Sequence, residues 1–190
     1  LTPPEIMGGG AGNLSSGFPH REGRTEMVLP VRPNLGSQGP RSKGSSSVFY
    51  NPAMSGSRTR SVLLLKYAIE KGMLGEREIY ALDGLAASGL RARRWINELP
   101  GEMAKRISAT IVDIDEDALK WAIESHDRFG TSHGEGLLIS RNSDLRVEVL
   151  KSGRHWVDID PYGSPAPFID SAIQSMARSG VMEISATDTA

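Results

Sequence analysis

Apolar residues recur along the chain with two periods, and their spacing predicts helices alternating with strands. Val62, Leu65 and Ile69 share one helical face, and Gly72 stands where a left-handed residue would end that helix. Ile79 to Leu82 is a short run of strand type. Ser88 is placed to cap a helix that continues to Leu99 and stops at Pro100 and Gly101. Ala109 to Val112 reads as a second strand. Asp115 then caps a helix with Glu116 and Asp117 at its positive end, Leu119, Ala122 and Ile123 on its buried face, and Gly130 just past it. Leu137 to Ile139, His155 to Ile159 and Val181 to Ala186 add three strands. Between the last two, Phe168, Ile169, Ala172, Ile173 and Met176 form the apolar stripe of a helix that Pro165 or Pro167 starts. The expected architecture is therefore α/β, a mainly parallel sheet with helices on both faces.

Before Val48 the pattern lapses. Of the first 47 residues, 22 are Gly, Ser or Pro, too few apolar groups remain to build a core, and residues 1–47 are expected to be flexible. A short ordered segment near 22–31, Glu22 to Val31, is the exception, and Pro30 and Pro33 confine any strand there to an edge. Residues 48–190 are expected to form the folded domain. A start at Leu1 and an end at Ala190, directly after an apolar stretch, read as those of a fragment whose domain is incomplete at its C-terminus.

Charge divides along similar lines. Residues 1–60 hold 7 Lys and Arg against 3 Asp and Glu, whereas residues 61–190 hold 15 against 20. A positive arm on a negative domain suits contact with a polyanion. Cysteine is absent, which excludes disulfides, thiolate zinc sites and cysteine nucleophiles. With only four dispersed histidines, no metal site is expected. Apolar runs such as Val62 to Leu65 fall far short of the roughly 18 residues of a membrane span, and no secretory signal is apparent. A cytoplasmic location with no membrane partner is the expectation.

In open α/β sheets ligands bind outside the carboxyl ends of the strands. Asp83-Gly84-Leu85-Ala86-Ala87-Ser88-Gly89-Leu90-Arg91 follows the first strand with small residues that let a ligand approach a helix N-terminus, or simply make a tight turn. Its spacing matches neither G-x-G-x-x-G nor a P-loop. Asp113, one strand-helix-strand unit later, suits the two hydroxyls of a ribose, leaving Asp115 as the helix cap. Asn142-Ser143-Asp144 offers an acceptor for an exocyclic amine, or an Asx turn. Most informative is Asp158-Ile159-Asp160-Pro161-Tyr162-Gly163-Ser164-Pro165. There Asp160 and the Pro161 carbonyl can each accept an N–H from a planar amine while Tyr162 stacks on its ring, although a structural turn could share these residues.

Taken in order, these residues resemble the tRNA (guanine-26, N2)-dimethyltransferase family. The likeness spans about residues 22 to 190. It rests on Glu22-Gly23, on Val48-Phe49-Tyr50-Asn51-Pro52-Ala53-Met54, on the Asp83 to Arg91 loop, on Asp113-Ile114-Asp115, on Asp158 to Pro167, and on Ala186-Thr187-Asp188-Thr189-Ala190. The resemblance implies a Rossmann-like class I methyltransferase core that uses S-adenosyl-L-methionine on tRNA, at the N2 amine of guanine 26. It makes Asp160 the catalytic carboxylate beside Pro161, with Phe49 and Tyr162 flanking the base; Arg58, Asp83, Arg91, Asp113 and Asp144 serve the cofactor. Apart from the resemblance, Phe49 reads as a core aromatic. The chain departs from the family at Ser57-Arg58-Thr59, where Asn-Arg-Asp is usual, and at Val112 and Gly84. The family also continues past this chain with further strands and a domain that grips tRNA. Two alternatives stay open: an amino methyltransferase for another nucleic-acid base, and a cofactor-binding fragment without catalysis.

Overall fold

The computed structural model describes residues 17–30, 48–130 and 136–186. Arg41 and Lys43 of the basic arm and the closing residues 187–190 lie outside them.

Five parallel strands form the sheet, β3 (Ile79–Gly84), β4 (Ile107–Asp113), β5 (Leu137–Asn142), β6 (Arg154–Ile159) and β7 (Met176–Ile184), in the order β5-β4-β3-β6-β7. The chain steps outward from β3 to β4 and β5, then returns past β3 to place β6 on its other side. Side chains alternate across each strand, so the sheet feeds two cores. Ile79, Ala81, Ala109, Ile111 and Trp156 pack with α1 (Ser55–Glu70), α2 (Leu90–Glu98) and α4 (Glu116–Phe129) on one face. Leu82, Val112, Val157 and Ile159 meet α5 (Leu145–Glu148) and α6 (Ala166–Ser175) on the other. A further short helix, α3 (Gly101–Ala104), links α2 to β4.

Several local readings hold in detail. Gly72 and Gly130 adopt the left-handed φ expected just past α1 and at the end of α4, at +67° and +63°. The Asp115 carboxylate accepts from Ala118 N at 3.1 Å as the cap of α4. Two readings are corrected. Ser88 does not cap α2: Gly89 occupies that position, and the Asp83 carboxylate at the end of β3 accepts from Ala92 N at 3.0 Å instead. Met176 is not on the helical stripe, because α6 ends at Ser175 and Met176 opens β7, which runs five residues earlier than its apolar pattern suggested.

The ordered segment near 22–31 is half of an antiparallel hairpin, β1 (Phe18–Glu22) and β2 (Thr25–Leu29), apart from the main sheet. Gly23 makes its turn at φ +59°, and a Cβ there would fall 2.2 Å from Glu98 Oε1. Met27, Val28 and Leu29 are buried. Trp121 Nε1 donates to Val28 O at 2.7 Å, and Arg93 Nη2 to Glu26 O at 2.6 Å, so the hairpin is docked on α2 and α4.

Candidate active site

The strand order reverses between β3 and β6, and the ends of these strands bring the acidic residues together. Asp83, Asp158 and Glu183 are register partners across β3, β6 and β7, three carboxylates abreast. Such a row of like charges is unfavourable unless a cation or protons intervene. Arg91, from the first turn of α2, is that cation. Its Nε lies 3.1 Å from Asp158 Oδ2, its Nη1 3.6 Å from Glu183 Oε1, and its Nη2 pairs with Asp160 Oδ2. Against four acids one guanidinium is too little. Burial pushes the Asp158 carboxyl well above its usual range, and drives Asp83 up to about 6, in both cases against the pull of Arg91. Both carboxylate oxygens of Asp158, and Oε2 of Glu183, are buried without a hydrogen-bond partner.

The loop after β3 is held in an unusual shape. Leu85 and Ala87 adopt left-handed φ values of +62° and +45°, followed by Gly89 at +62°. For residues with a Cβ this costs on the order of 1–3 kcal/mol each and must be fixed by the surroundings. Ala86 N donates to Val112 O at 3.0 Å and Ala87 N to Asp113 Oδ2 at 2.8 Å. Asp113 Oδ1 accepts from Asp115 N at 2.9 Å, so one carboxylate ties the loop to the end of β4 and keeps lone pairs for a ligand.

A cleft opens over these groups. Phe49, Arg58, Asp83, Arg91, Asp160, Pro161 and Tyr162 line it, together with the loop from Leu85 to Ser88. A second groove, from Ala87 to Asp113 and the first turn of α4, shares Phe49 with it. The structure thus brings Asp160, Pro161, Tyr162 and Phe49 together, with Tyr162 72% exposed at the mouth. Asp113 stands in the adjoining groove. Asp144 does not join them. It caps α5 and is bound by Arg146, at 2.8 Å to the backbone N–H and 2.5 Å to Nη2, an arrangement that holds its carboxyl down at about 2.

Arg58 and Arg91 reach the cleft already occupied. Arg91 serves Asp160 and its neighbours, and Arg58 is fixed by Glu22 of the hairpin, at 2.7 Å from Nε and 2.6 Å from Nη2. Three groups were missed by sequence reasoning. Asp158 carried a signal, since it precedes Asp160 by two and strand alternation puts both on the Trp156 face. Glu22 was marked only as part of the Glu22-Gly23 motif, with no role, and Glu183 carried no signal, because each is paired through the fold with residues far away in the chain.

Solved structures share this fold. The tRNA m1G37 methyltransferase of M. jannaschii superposes with a TM-score of 0.57 at 15% identity, covering 86% of this chain and 41% of that one. The ribosomal protein L11 methylase of Lactobacillus delbrueckii subsp. bulgaricus gives 0.52 at 15% identity, over 85% and 75%. The protein accordingly has the Rossmann-like α/β fold of methyltransferases, with its cleft at the point where the strand order reverses. Residues 37–190 match the family of N2,N2-dimethylguanosine tRNA methyltransferases, and the chain belongs to that family. A tRNA (guanine(26)-N(2)/guanine(27)-N(2))-dimethyltransferase of Aquifex aeolicus is 36% identical over 173 residues, 90% of this chain and 40% of the relative. A tRNA (guanine(26)-N(2))-dimethyltransferase of Thermococcus kodakarensis is 34% identical over 155 residues, 75% and 38%. The chain therefore spans about 40% of the length of these relatives.

Proposed function

We propose that this chain is the N-terminal catalytic portion of an enzyme that transfers methyl groups from S-adenosyl-L-methionine to the N2 amine of guanine 26 in tRNA. The observation that carries the reading is the convergence of Asp160, Pro161 and Tyr162 with Phe49 on one cleft, beneath which Asp83, Asp158 and Glu183 crowd around Arg91. Residues 48–190 belong to the methyltransferase domain in this reading, and the length its relatives have beyond the match supplies further grip on tRNA.

The residues present suit the cofactor. Its sulfonium and ammonium groups are positive, and Asp83, Asp158 and Glu183 bring more acids around Arg91 than it balances, Arg91 being paired also with Asp160. Its ribose hydroxyls suit Asp113, whose oxygens accept one backbone N–H each and keep further lone pairs. The bound cofactor supplies an electrophilic methyl on sulfur. Toward the base, Asp160 accepts one N–H of the guanine amine and the Pro161 carbonyl accepts another. This draws the nitrogen lone pair out of conjugation and directs it at the methyl. With that methyl donor bound, the amine would take the methyl as its bond to sulfur is given up, and Asp160 would accept the proton of the alkylated amine. Phe49 and Tyr162 hold the base out of its stack, as an enzyme acting on a base atom must. Arg91 pairs with Asp160 Oδ2 through Nη2 and orients it. Asp144, already bound to Arg146, has a lesser part in cofactor binding than Asp113. No helix among the described residues is long and apolar enough to cross a membrane. From the tRNA-modifying relatives we infer that the enzyme works in the cytoplasm, and the roles given to Asp160 and Pro161 call for no metal.

Asp160→Ala tests the assignment. It should lower methyl transfer by about 10²- to 10⁴-fold while cofactor affinity, measured by calorimetry, stays within about twofold. Near-normal turnover in this variant removes Asp160 from its role.

A further inference from the structure

The hairpin precedes the family match, which begins at residue 37, and the sequence marks it as a short ordered piece in a flexible arm that carries the Glu22-Gly23 motif, without a role for Glu22. Glu22, its last β1 residue, is nevertheless 6% exposed and holds three partners from two other parts of the chain. It receives Arg58 through both carboxylate oxygens, at 2.7 and 2.6 Å, and Arg94 Nη1 at 2.8 Å. It also accepts from the Tyr50 hydroxyl at 3.0 Å. That hydroxyl has one proton and gives it to Glu22, so its 2.7 Å contact with His20 Nε2 is a bond donated by the imidazole. Arg58 in turn donates from Nη2 to Asn51 O at 3.0 Å and sits over the Tyr50 ring at 5.2 Å.

Tyr50, Asn51 and Arg58 all line the cleft, and Phe49 is the residue before them. One carboxylate therefore grips the segment Phe49 to Asn51 from two directions, through the Tyr50 hydroxyl and through Arg58 to the Asn51 carbonyl. We propose that Glu22 is a positioning residue of the active site, so that the hairpin of residues 18–29 sets the cleft wall formed by Phe49, Tyr50, Asn51 and Arg58. The proposal rests on the cofactor reading above, since it concerns how well that wall receives S-adenosylmethionine.

The same network provides a control. Glu98 binds Arg94 at 2.6 and 2.9 Å but touches none of the cleft-lining residues. Loss of Glu98 should loosen the fold without reshaping the wall. Calorimetric titration of the full chain with S-adenosylmethionine and with S-adenosylhomocysteine, beside thermal melts, separates the two roles. Glu22→Gln keeps the shape but turns an amide toward arginine, and should weaken both affinities by about tenfold, as the loss of a charged hydrogen bond does. Glu98→Gln should lower Tm by a similar amount and leave the affinities within about twofold, the measurements being made well below both melting temperatures. If Glu22→Gln does not fold, Glu22→Asp keeps the charge but draws it back by one methylene, and should weaken binding in the same direction. Equal affinities in the Glu22 and Glu98 variants overturn the proposal and leave the cofactor reading standing. Failure of the unaltered protein to bind either compound overturns both.

Discussion

Two buried clusters of charge meet in α2, one residue turn apart, and they are built on opposite principles. At the hairpin, Arg58 and Arg94 face Glu22 and Glu98, two cations and two anions in direct hydrogen bonds. At the cleft, Arg91 alone faces Asp83, Asp158, Asp160 and Glu183. The first cluster completes its own chemistry and stabilises the fold. The second leaves chemistry undone, with Asp158 Oδ1 and Glu183 Oε2 buried and without a hydrogen-bond partner. Buried ions are costly unless paired, so an unbalanced cluster marks the place where a charged ligand is expected to complete it.

The largest consequence comes from removing the scarce cation. Arg91→Ala leaves four acids with no counter-charge and should destabilise the fold by about 3–5 kcal/mol at pH 8, measured by urea denaturation. The loss should shrink at pH 5, where the acids take up protons; a loss that is independent of pH means the acids are not the cause.

Next in size is Glu22→Gln, which breaks the balanced cluster from the other side and should cost about 2 kcal/mol. Burial pushes the Glu22 carboxyl up, but Arg58, Tyr50 and Arg94 bring it below its usual range overall. Its contribution is therefore present above the ordinary carboxyl range and disappears as pH falls. Asp83 behaves oppositely. Raised from 3.8 to about 6, it binds its proton more tightly in the folded chain, so folding loses stability as pH rises across that interval. Glu22→Gln should flatten the acid limb of the stability profile, and Asp83→Asn the fall above it. The same limb altered in both variants merges the two clusters into one.

Smaller again is Asp158→Asn. Replacing a buried, uncompensated acid by its neutral isostere should raise stability at pH 8 by about 1 kcal/mol while weakening cofactor binding, the exchange of stability for function expected of a site residue. Least affected should be Asp144→Ala, with cofactor affinity changed less than about twofold, since Arg146 already occupies that carboxylate; a tenfold loss would restore Asp144 to the binding site.

The contrast also explains what was legible in the sequence. Asp160, Pro161 and Tyr162 sit within three residues, so local order suffices to place them on one cleft, and the position of Asp113 in the adjoining groove follows from one strand-helix-strand unit. Gly72, Gly130 and Asp115 announce helix ends by local chemistry that the structure keeps. Arg58 and Arg91 could be singled out by resemblance, but their pairing with Glu22 and Asp160 could not. Glu22 lies 36 residues from Arg58, and Asp160 69 residues from Arg91. Only the fold brings such pairs together. Ser88 failed as a cap for the same reason: a distant carboxylate, Asp83, took its place. β1 was hidden because Pro19, His20 and Arg21 interrupt any apolar alternation, and its strand character comes from pairing with β2.

The reaction itself is tested most directly by offering a tRNA transcript with guanine, or with inosine, at position 26. Inosine lacks only the N2 amine. Tritiated S-adenosylmethionine should label the guanine transcript and leave the inosine transcript unlabelled, using the chain extended to the length of its relatives. Equal labelling of both would place the methyl on another atom, and no labelling of either by a protein that binds the cofactor would contradict the assignment of this cleft to methyl transfer.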